Sequence, residues 1–328
     1  MTKRARIAAA ILVLAQSAGS ASANDSTAMT SAGGLVLTRN DAIDMVSEDL
    51  FVSVEQVRVH YVFRNRSPRD VNVTVAFPMP DRDLSQLGHQ DVGYPSDFHT
   101  MVAGRPVTAM LDRHAMARGR DRTALLNSLR IPLAPNADGI GHITAALAAL
   151  PAARQTELRR LGLMGNDEYV PEMIVPLWTL RDTWHWQQNF PAGRDLVVEH
   201  RYRPGAGSTP ALQLADPAFR RTAEGLYEMQ AYCPDPAFLA TIDRWNRQQE
   251  MSNEIDNESI GYTLITGGNW RSPIGRFRLV VDKGDARNIV SFCGEGVRRI
   301  SPTQFEVRRT NWRPTGNLDV LIVHPPER

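Results

Sequence analysis

The chain has 328 residues, with 37 basic and 36 acidic side chains and a formal net charge of +1 at pH 7. This near-neutral balance argues against nucleic acid as a partner, because nucleic-acid-binding proteins carry a marked basic surplus. The length suits two domains, each large enough to bury a core of its own.

The first 23 residues have the three parts of a cleavable signal peptide. A basic start is followed by an uncharged apolar run, residues 7–14, and by a small-x-small sequence, so we expect cleavage between Ala23 and Asn24. The apolar run is too short for a transmembrane helix, and no later stretch reaches 18 apolar residues. We therefore expect a periplasmic or extracellular protein without a transmembrane segment. Cleavage would also remove three positive charges.

Two strands are predicted by the alternation in residues 57–63 and 71–77. Every second residue is apolar in VRVHYVF and in VNVTVAF, which places those side chains on one face of each strand. Turn-forming residues occupy positions 65–70, and Pro78 lacks a backbone donor. Together these features predict a β-hairpin with one face on a core.

Helical spacing replaces the alternation between about residues 121 and 165. Apolar residues there recur at helical intervals, and we expect helices at 121–130, 140–150 and 151–161. Pro151 suits the first position of the last helix, since its missing N–H would be unpaired there in any case. The simplest interpretation is a helical insertion within a β domain.

Strand patterns return before residues 203–210, a segment rich in Gly, Pro and Ser that is the strongest candidate linker. Asp235 and Pro236 have the character of an N-cap and a first helical residue. They predict one helix at about 235–250. Short alternating strands then continue to the end of the chain.

The many short strands with Gly and Pro turns predict a mainly β, sandwich-like fold that is α+β overall. We expect an N-terminal β-sandwich domain in residues 24–205, with the helical insertion at about 121–165. A C-terminal β-rich domain should follow in residues 206–328, with its helix at about 235–250.

Cys233 and Cys293 are the two cysteines of the chain. In an exported protein an even number of cysteines predicts a disulfide. A closed loop of about 60 residues would stabilise the fold by about 4 kcal/mol in the chain-entropy description. Two unpaired buried thiols are the alternative, whereas two cysteines alone cannot fill a tetrahedral zinc site.

Several segments together resemble an uncharacterised family of exported bacterial proteins, catalogued as the domain of unknown function number forty-four twenty-four. The resemblance is carried by NDSTA at the expected mature start, GGLVLTRNDAIDMVSEDLFVS, RNRSPRDVNVTVAFPMPD, WHWQQNFPAGRDLVVEHRYRP, GYTLITGGNWRSPIGRFRLVVDKG and FCGEGVRRISPTQFEV. It covers most of the expected mature chain. It implies a bacterial origin and a periplasmic or extracellular location, and it supplies no catalytic residues.

The N-terminal third also resembles the N-terminal module of vault and inter-α-trypsin inhibitor proteins. A strand there leads through an Asn-containing turn into a second strand that ends in Phe77-Pro78-Met79-Pro80, and VAGRPVTAMLDRHAMARGRD follows. This resemblance implies an all-β interaction module.

The densest aromatic group is Trp178, Trp184, His185 and Trp186. On a strand, Trp184 and Trp186 share one face and His185 points to the other. One interpretation is a stacking platform for a sugar or a peptide. The other makes the tryptophans core residues and His185 a solvated strand residue. We favour the second, because aromatic side chains dominate protein cores by area.

Two acidic segments raise the question of a calcium site. Carboxylates on β-sandwich loops can gather this cation, but no recognisable ligand spacing is present, and solvated loops are the simpler interpretation. The acidic residues concerned are Asp41, Asp44, Glu48, Asp49, Asp81 and Asp83.

Nucleophile elbows, Walker loops, His-Glu-x-x-His motifs and EF-hand loops are absent from the sequence. We therefore expect a non-enzymatic binding or structural protein without a cofactor, whose partner is an envelope protein or another envelope component. The alternative is an envelope hydrolase with a site assembled from distant residues, such as His185, Glu199 and the N-terminal aspartates. A calcium-stabilised β module is a further alternative.

Overall fold

The computed structural model describes residues 25–31, 34–86, 91–92, 95–136, 138–167, 170–209, 211–248 and 254–326. The expected cleavage site at Ala23 and Asn24 lies outside these ranges. Within them the chain forms 22 β-strands and five α-helices, and the helices are α1 (Thr123–Ser128), α2 (Gly141–Ala148), α3 (Ala152–Leu161), α4 (Ala223–Tyr232) and α5 (Pro236–Asn246).

The strands are β1 (Ser26–Ser31), β2 (Gly34–Thr38), β3 (Ile43–Val52), β4 (Val57–Asn65), β5 (Val71–Pro78), β6 (Arg82–Asp83), β7 (Asp91–Val92), β8 (Ser96–Val102), β9 (Arg105–Val107), β10 (Met110–Ala117), β11 (Arg120–Asp121), β12 (Met164–Asn166), β13 (Ile174–Pro176), β14 (Thr179–Phe190), β15 (Asp195–Arg203), β16 (Gly207–Thr209), β17 (Asn257–Tyr262), β18 (Ile274–Asp282), β19 (Ile289–Phe292), β20 (Arg298–Arg299), β21 (Gln304–Trp312) and β22 (Leu318–Val323). Short 3₁₀ helices occupy Leu84–Gln86, Gln213–Ala215, Phe219–Arg221 and Ile265–Asn269.

An eight-stranded sheet is the largest element, with the strand order β20-β21-β18-β3-β4-β15-β8-β9. Strands β18 and β3 run parallel, and this pair joins the two halves of the sequence in one sheet. A division into two domains at residue 205 stays a prediction.

Two further sheets share the core beneath the eight-stranded sheet. One has the order β11-β10-β14-β5-β1-β2 with β6 beside β14, and the other has the order β19-β22-β17-β16-β7. Phe63 of the eight-stranded sheet, Phe77 of the seven-stranded sheet and Tyr262 of the five-stranded sheet belong to one buried cluster. The mainly β, sandwich-like fold expected from the sequence is thereby confirmed.

Strands β4 and β5 correct the predicted hairpin. β4 pairs with β3 and β15, whereas β5 pairs with β14 and β1, so the two strands lie in different sheets. The connection crosses between the sheets, and the Asn65 amide holds it by donating to the carbonyls of Arg69 and Phe190, both at 2.8 Å. The alternation predicted the buried faces correctly. It did not distinguish two strands that face each other across the core from two strands that are neighbours in one sheet, because both arrangements have the same alternation.

The helical insertion is confirmed, and it has a core of its own. Leu126 of α1, Leu147 of α2 and Leu158 of α3 pack around Trp178, and all four side chains are fully buried. The Trp178 indole donates a hydrogen bond to the Leu133 carbonyl at 2.8 Å. This contact links the insertion to the residue that precedes β14.

Helices α4 and α5 cover the outer side of the five-stranded sheet, where Phe238 and Ile242 pack on residues of β22. The Asp235 carboxylate accepts a hydrogen bond from the Phe238 amide at 2.7 Å, so the predicted N-cap is confirmed. Helix α4 was not predicted. It begins after Thr222, whose hydroxyl accepts a hydrogen bond from the Gly225 amide at 3.0 Å.

The predicted disulfide is confirmed. Cys233 ends α4 and Cys293 follows β19, and their sulfur atoms lie 2.05 Å apart. The bond fastens the helical cover to the five-stranded sheet. Ser291 adds a second link, because its hydroxyl donates to the Tyr232 carbonyl at 2.9 Å.

Candidate functional site

The outer face of the eight-stranded sheet is concave over strands β3, β4, β15 and β8. We call this concavity, of about 920 Å³, the outer trough. Strand alternation explains its polar character, because every second residue of these strands enters the core and the others face outward. In β4, for example, Val59 is buried, whereas Arg58 and His60 are exposed.

Strand register sets one row of side chains across the trough. Phe51, Arg58, Arg201 and His99 are direct cross-strand partners on β3, β4, β15 and β8. Neighbouring strands lie about 4.8 Å apart, so two guanidinium groups and an imidazole fall within reach of one small ligand.

Arg58 and Arg201 place two positive charges side by side in this row. The Arg58 guanidinium carbon lies 4.6 Å from the centroid of the Phe51 ring, which is within the range of a cation–π contact. Among the residues that the structure describes, neither Arg58 nor Arg201 has an ion-pair partner. Like charges directly opposite each other destabilise a sheet, so local stability does not account for this pair.

A second row lies beside the first. Asp49, His60, Glu199 and Met101 are cross-strand partners on the same four strands. This row brings two carboxylates, an imidazole and an apolar side chain to the trough. It therefore supplies hydrogen-bond acceptors and an apolar contact next to the arginine row.

A different set of arginines, at the edge of the trough, is neutralised by carboxylates. Arg278 pairs with Asp49 at 3.2 Å and with Glu306 at 2.8 Å. Glu306 is 3% exposed and also binds Arg308 and Arg298. Hydrogen bonds from Arg308, Arg278 and Arg298 outweigh burial and lower the pKa of Glu306 to about 2. This edge is a closed ion-pair network, in contrast to the arginine row.

Beneath the trough, a buried relay runs through the core. Thr100 Oγ1 lies 3.0 Å from His200 Nδ1, and His200 Nε2 lies 3.0 Å from Asp25 Oδ1. The Trp270 indole donates to the Asp25 backbone carbonyl at 2.8 Å. Burial raises the pKa of the Asp25 carboxyl, and the contact with His200 opposes this rise.

The relay has the order of groups found in hydrolase triads. However, the side chains of His200 and Asp25 are both 0% exposed, and Thr100 is 3% exposed. Thr100 and His200 border the outer trough, but these side chains are enclosed in the core. The relay instead fastens the start of β1 to the inner face of the eight-stranded sheet.

Residues 23–321 match the family described as Domain of unknown function (DUF4424). The chain belongs to this family. The match confirms the resemblance noted in the sequence, while the likeness to the vault and inter-α-trypsin inhibitor module has no support from it. No curated protein matches the chain significantly.

Solved structures give distant similarities to this DUF4424 chain. One is described as a "putative nutrient binding protein" from Legionella pneumophila; it is 14% identical with a TM-score of 0.44, and the match covers 93% of this chain and 72% of that one. Another is an M1 zinc metallopeptidase from Deinococcus radiodurans, 9% identical with a TM-score of 0.27. That match covers 87% of this chain and 43% of the peptidase.

The structure separates the four residues of the suggested aromatic platform. Trp178 lies in the core of the helical insertion, and Trp186 is 2% exposed in the main core. Trp184 is half-buried and stacks on Phe98, with ring centroids 5.0 Å apart. His185 is half-buried on the other side of β14. A platform of all four side chains is therefore not formed.

The structure brings the hydrolase candidates together only in part. Glu199 lies in the outer trough on β15, whereas His185 belongs to β14 of the seven-stranded sheet. Of the N-terminal aspartates, Asp49 also lines the outer trough, where it pairs with Arg278. Sequence reasoning did not single out Arg58, Arg201 or His99, whose alignment depends on strand register.

Arginines bind most of the suggested calcium ligands. Asp41 pairs with Arg39, Asp49 with Arg278 and Asp81 with Arg181. Asp83 accepts a hydrogen bond from the Ser85 amide, and Glu48 is buried. Burial acts to raise the pKa of Asp44, but hydrogen bonds from Arg66, Ser272 and Arg271 outweigh it and lower that pKa.

Across the described ranges, no group of three or more His, Cys, Asp or Glu side chains is arranged to hold a metal ion. Within the same residues, no helix has the length and apolar character needed to cross a membrane.

Proposed function

We propose that this DUF4424 protein is a non-enzymatic, periplasmic binding protein that takes a small anionic ligand in the outer trough. The observation that carries the proposal is the pair Arg58 and Arg201. The two side chains are direct cross-strand partners in a cavity of about 920 Å³, with no counterion among the described residues.

The chemistry of the arginine row supports a carboxylate or a phosphate group. Each guanidinium group offers five N–H donors in a planar fork that matches these anions. His99, the partner of Arg201 on β8, adds a further donor at the end of the row. Phe51 and Met101 offer apolar contacts to the rest of the ligand.

Export to the periplasm is the second part of the proposal. It rests on the signal-peptide pattern of the first 23 residues. The disulfide between Cys233 and Cys293 is compatible with it, because structural disulfides persist in oxidising compartments. A fusion of residues 1–30 to an export reporter would test it, and a reporter retained in the cytoplasm would contradict it.

Anion binding is tested with purified protein and isothermal titration calorimetry. Sodium phosphate and sodium acetate are titrated separately at constant ionic strength, and we expect saturable binding of one or both. The double variant Arg58→Gln/Arg201→Gln should weaken binding at least about tenfold, since two charge-assisted contacts are lost.

The matched control is Arg276→Gln, which removes one exposed positive charge from the same face of the same sheet, two residues before Arg278. Its affinity should equal that of the unchanged protein. Equal affinity of the double variant would refute the trough as the anion site. Turnover of an ester or a peptide that disappears in Glu199→Gln would favour the hydrolase alternative.

A further inference from the structure

A second, smaller pocket lies between the end of β5 and the five-stranded sheet. It has a volume of about 290 Å³, and prolines, among them Pro80 and Pro204, form part of its wall. We call it the proline pocket. Met79 and Ile260 also border it, and together with the prolines they form the apolar part of its wall.

Asp319 supplies a carboxylate to this pocket. Asp319 lies on β22 opposite Gly261 and is half-buried. Within the described part of the chain, its carboxylate makes no hydrogen bond and no ion pair. Burial raises the pKa of Asp319. A carboxylate so placed is stabilised by any cation that enters the pocket.

Tyr202 is a second, independent feature of this pocket. Its side chain is 3% exposed and also lines the proline pocket. Its hydroxyl is buried with no hydrogen-bond partner among the described residues. Buried hydroxyl groups nearly always have a partner. Asp319 also borders a larger cleft beside the disulfide, but Tyr202 does not line that cleft.

The remaining charges of the pocket favour a cation. Asp81 and Asp83 stand with Asp319 against a single guanidinium group, that of Arg82. Asp81 is neutralised by Arg181 at 2.8 Å. A divalent metal requires several oxygen ligands around one point, and no such group of acidic side chains is found in the described ranges.

We propose that the proline pocket binds the primary ammonium group of a small organic amine, with Asp319 as its counterion and the Tyr202 hydroxyl as an acceptor. A primary ammonium group has three donors on one small centre. The carboxylate and the phenol oxygen take two of these donors, and the proline and methionine side chains contact the methylene groups of the amine.

A substitution at Gly261 would change the space in the proline pocket without changing its charges. A Cβ atom at this position would lie 3.5 Å from Asp319 Oδ1 and 3.8 Å from Pro80 Cβ. These are ordinary contact distances, so Gly261→Ala should fold normally. The added methyl group would occupy the space between the carboxylate and the proline.

The experiment titrates n-butylammonium chloride into the purified protein by calorimetry, with n-butanol as the uncharged probe and calcium chloride as the metal probe. We expect butylammonium to bind, and butanol and calcium to bind at least about tenfold more weakly. Asp319→Asn should weaken butylammonium binding at least about tenfold. Gly261→Ala and Tyr202→Phe should weaken it as well.

Asp138→Asn, which removes an exposed carboxylate of the helical insertion, is the matched control and should bind butylammonium normally. Circular dichroism verifies that each variant is folded; if Asp319→Asn does not fold, Gly261→Ala and Tyr202→Phe decide the outcome. Equal binding of butanol, preferential binding of calcium, or unchanged affinity in the folded pocket variants would overturn the proposal.

Discussion

The inner face of the eight-stranded sheet and the arginine row on its outer face differ in how their polar side chains are paired. On the inner face, His200 has a partner for each ring nitrogen, and the Tyr61 and Tyr262 hydroxyls lie 3.0 Å apart. On the outer face, Arg58 and Arg201 are exposed and have no counterion among the described residues. Burial makes an unpaired polar group costly, whereas water stabilises an unpaired charge at the surface.

This difference in pairing indicates where ligand-binding residues are expected in this fold. Partnered polar groups of the inner face hold the sheets together. Two exceptions on this side are buried without a partner among the described residues, Asp25 Oδ2 and the Tyr202 hydroxyl. Tyr202 borders the proline pocket, where a ligand can supply the partner.

The largest expected effect comes from the inner face. Phe63 is 0% exposed, and its ring centroid lies 4.6 Å from that of Trp270. Phe63→Ala should lower the free energy of unfolding by about 3–5 kcal/mol, because it leaves a cavity in the core. Urea denaturation would measure the change. The neighbouring Val62→Ala, on the outer side of β4, should cost less than about 1 kcal/mol, and equal losses would contradict the assignment of faces.

An intermediate effect is expected from the ion-pair network at the trough edge. Glu306→Gln should lower the free energy of unfolding at pH 7 by about 1–2 kcal/mol, since three half-exposed or exposed arginines lose their shared counterion. Glu295→Gln is the control, because Glu295 is 96% exposed and its loss should be close to zero.

The same network gives the sign of a pH effect. The pKa of Glu306 is lowered from 4.5 to about 2 in the folded protein. Its contribution to stability is therefore present above about pH 4.5 and is lost as the pH falls towards 2. Unfolding measured between pH 5 and 2 should show a smaller decrease in Glu306→Gln than in the unchanged protein, and identical pH profiles would contradict this role.

The smallest expected change in stability belongs to the arginine row. Arg58→Gln/Arg201→Gln removes a like-charged cross-strand pair, so the free energy of unfolding should stay constant or rise by up to about 1 kcal/mol. Thermal melting would measure it, alongside the loss of anion binding. A clear loss of stability would show that the two arginines are structural, and would remove the contrast between the faces.

Local sequence patterns were sufficient for a large part of the fold. The alternation in residues 57–63 and 71–77 identified both strands and their buried faces, and helical spacing located the insertion. Asp235 was recognised as an N-cap, and the disulfide was predicted from the even cysteine count in a chain expected to be exported. Each of these features depends on neighbouring residues or on composition.

Helix α4 was not predicted from these local sequence patterns. Its N-cap, Thr222, is a common residue type, and its first turn contains Gly225, which is a poor helix former. A Cβ atom at Gly225 would lie 1.9 Å from the Phe219 carbonyl oxygen. Glycine is therefore required at this position because the preceding turn packs closely against it. This requirement is seen only in the folded chain.

Pairing of strands and assembly of sites were decided by the tertiary structure. Alternation assigns a side chain to a face but does not identify the neighbouring strand, so the predicted hairpin was wrong although its strands were correct. The row of Arg58, Arg201 and His99 depends on the register of three strands. The contact between Asp25 and His200 joins residues 175 positions apart. Such contacts arise when separate apolar faces are buried together, and a local sequence pattern does not indicate which faces will meet.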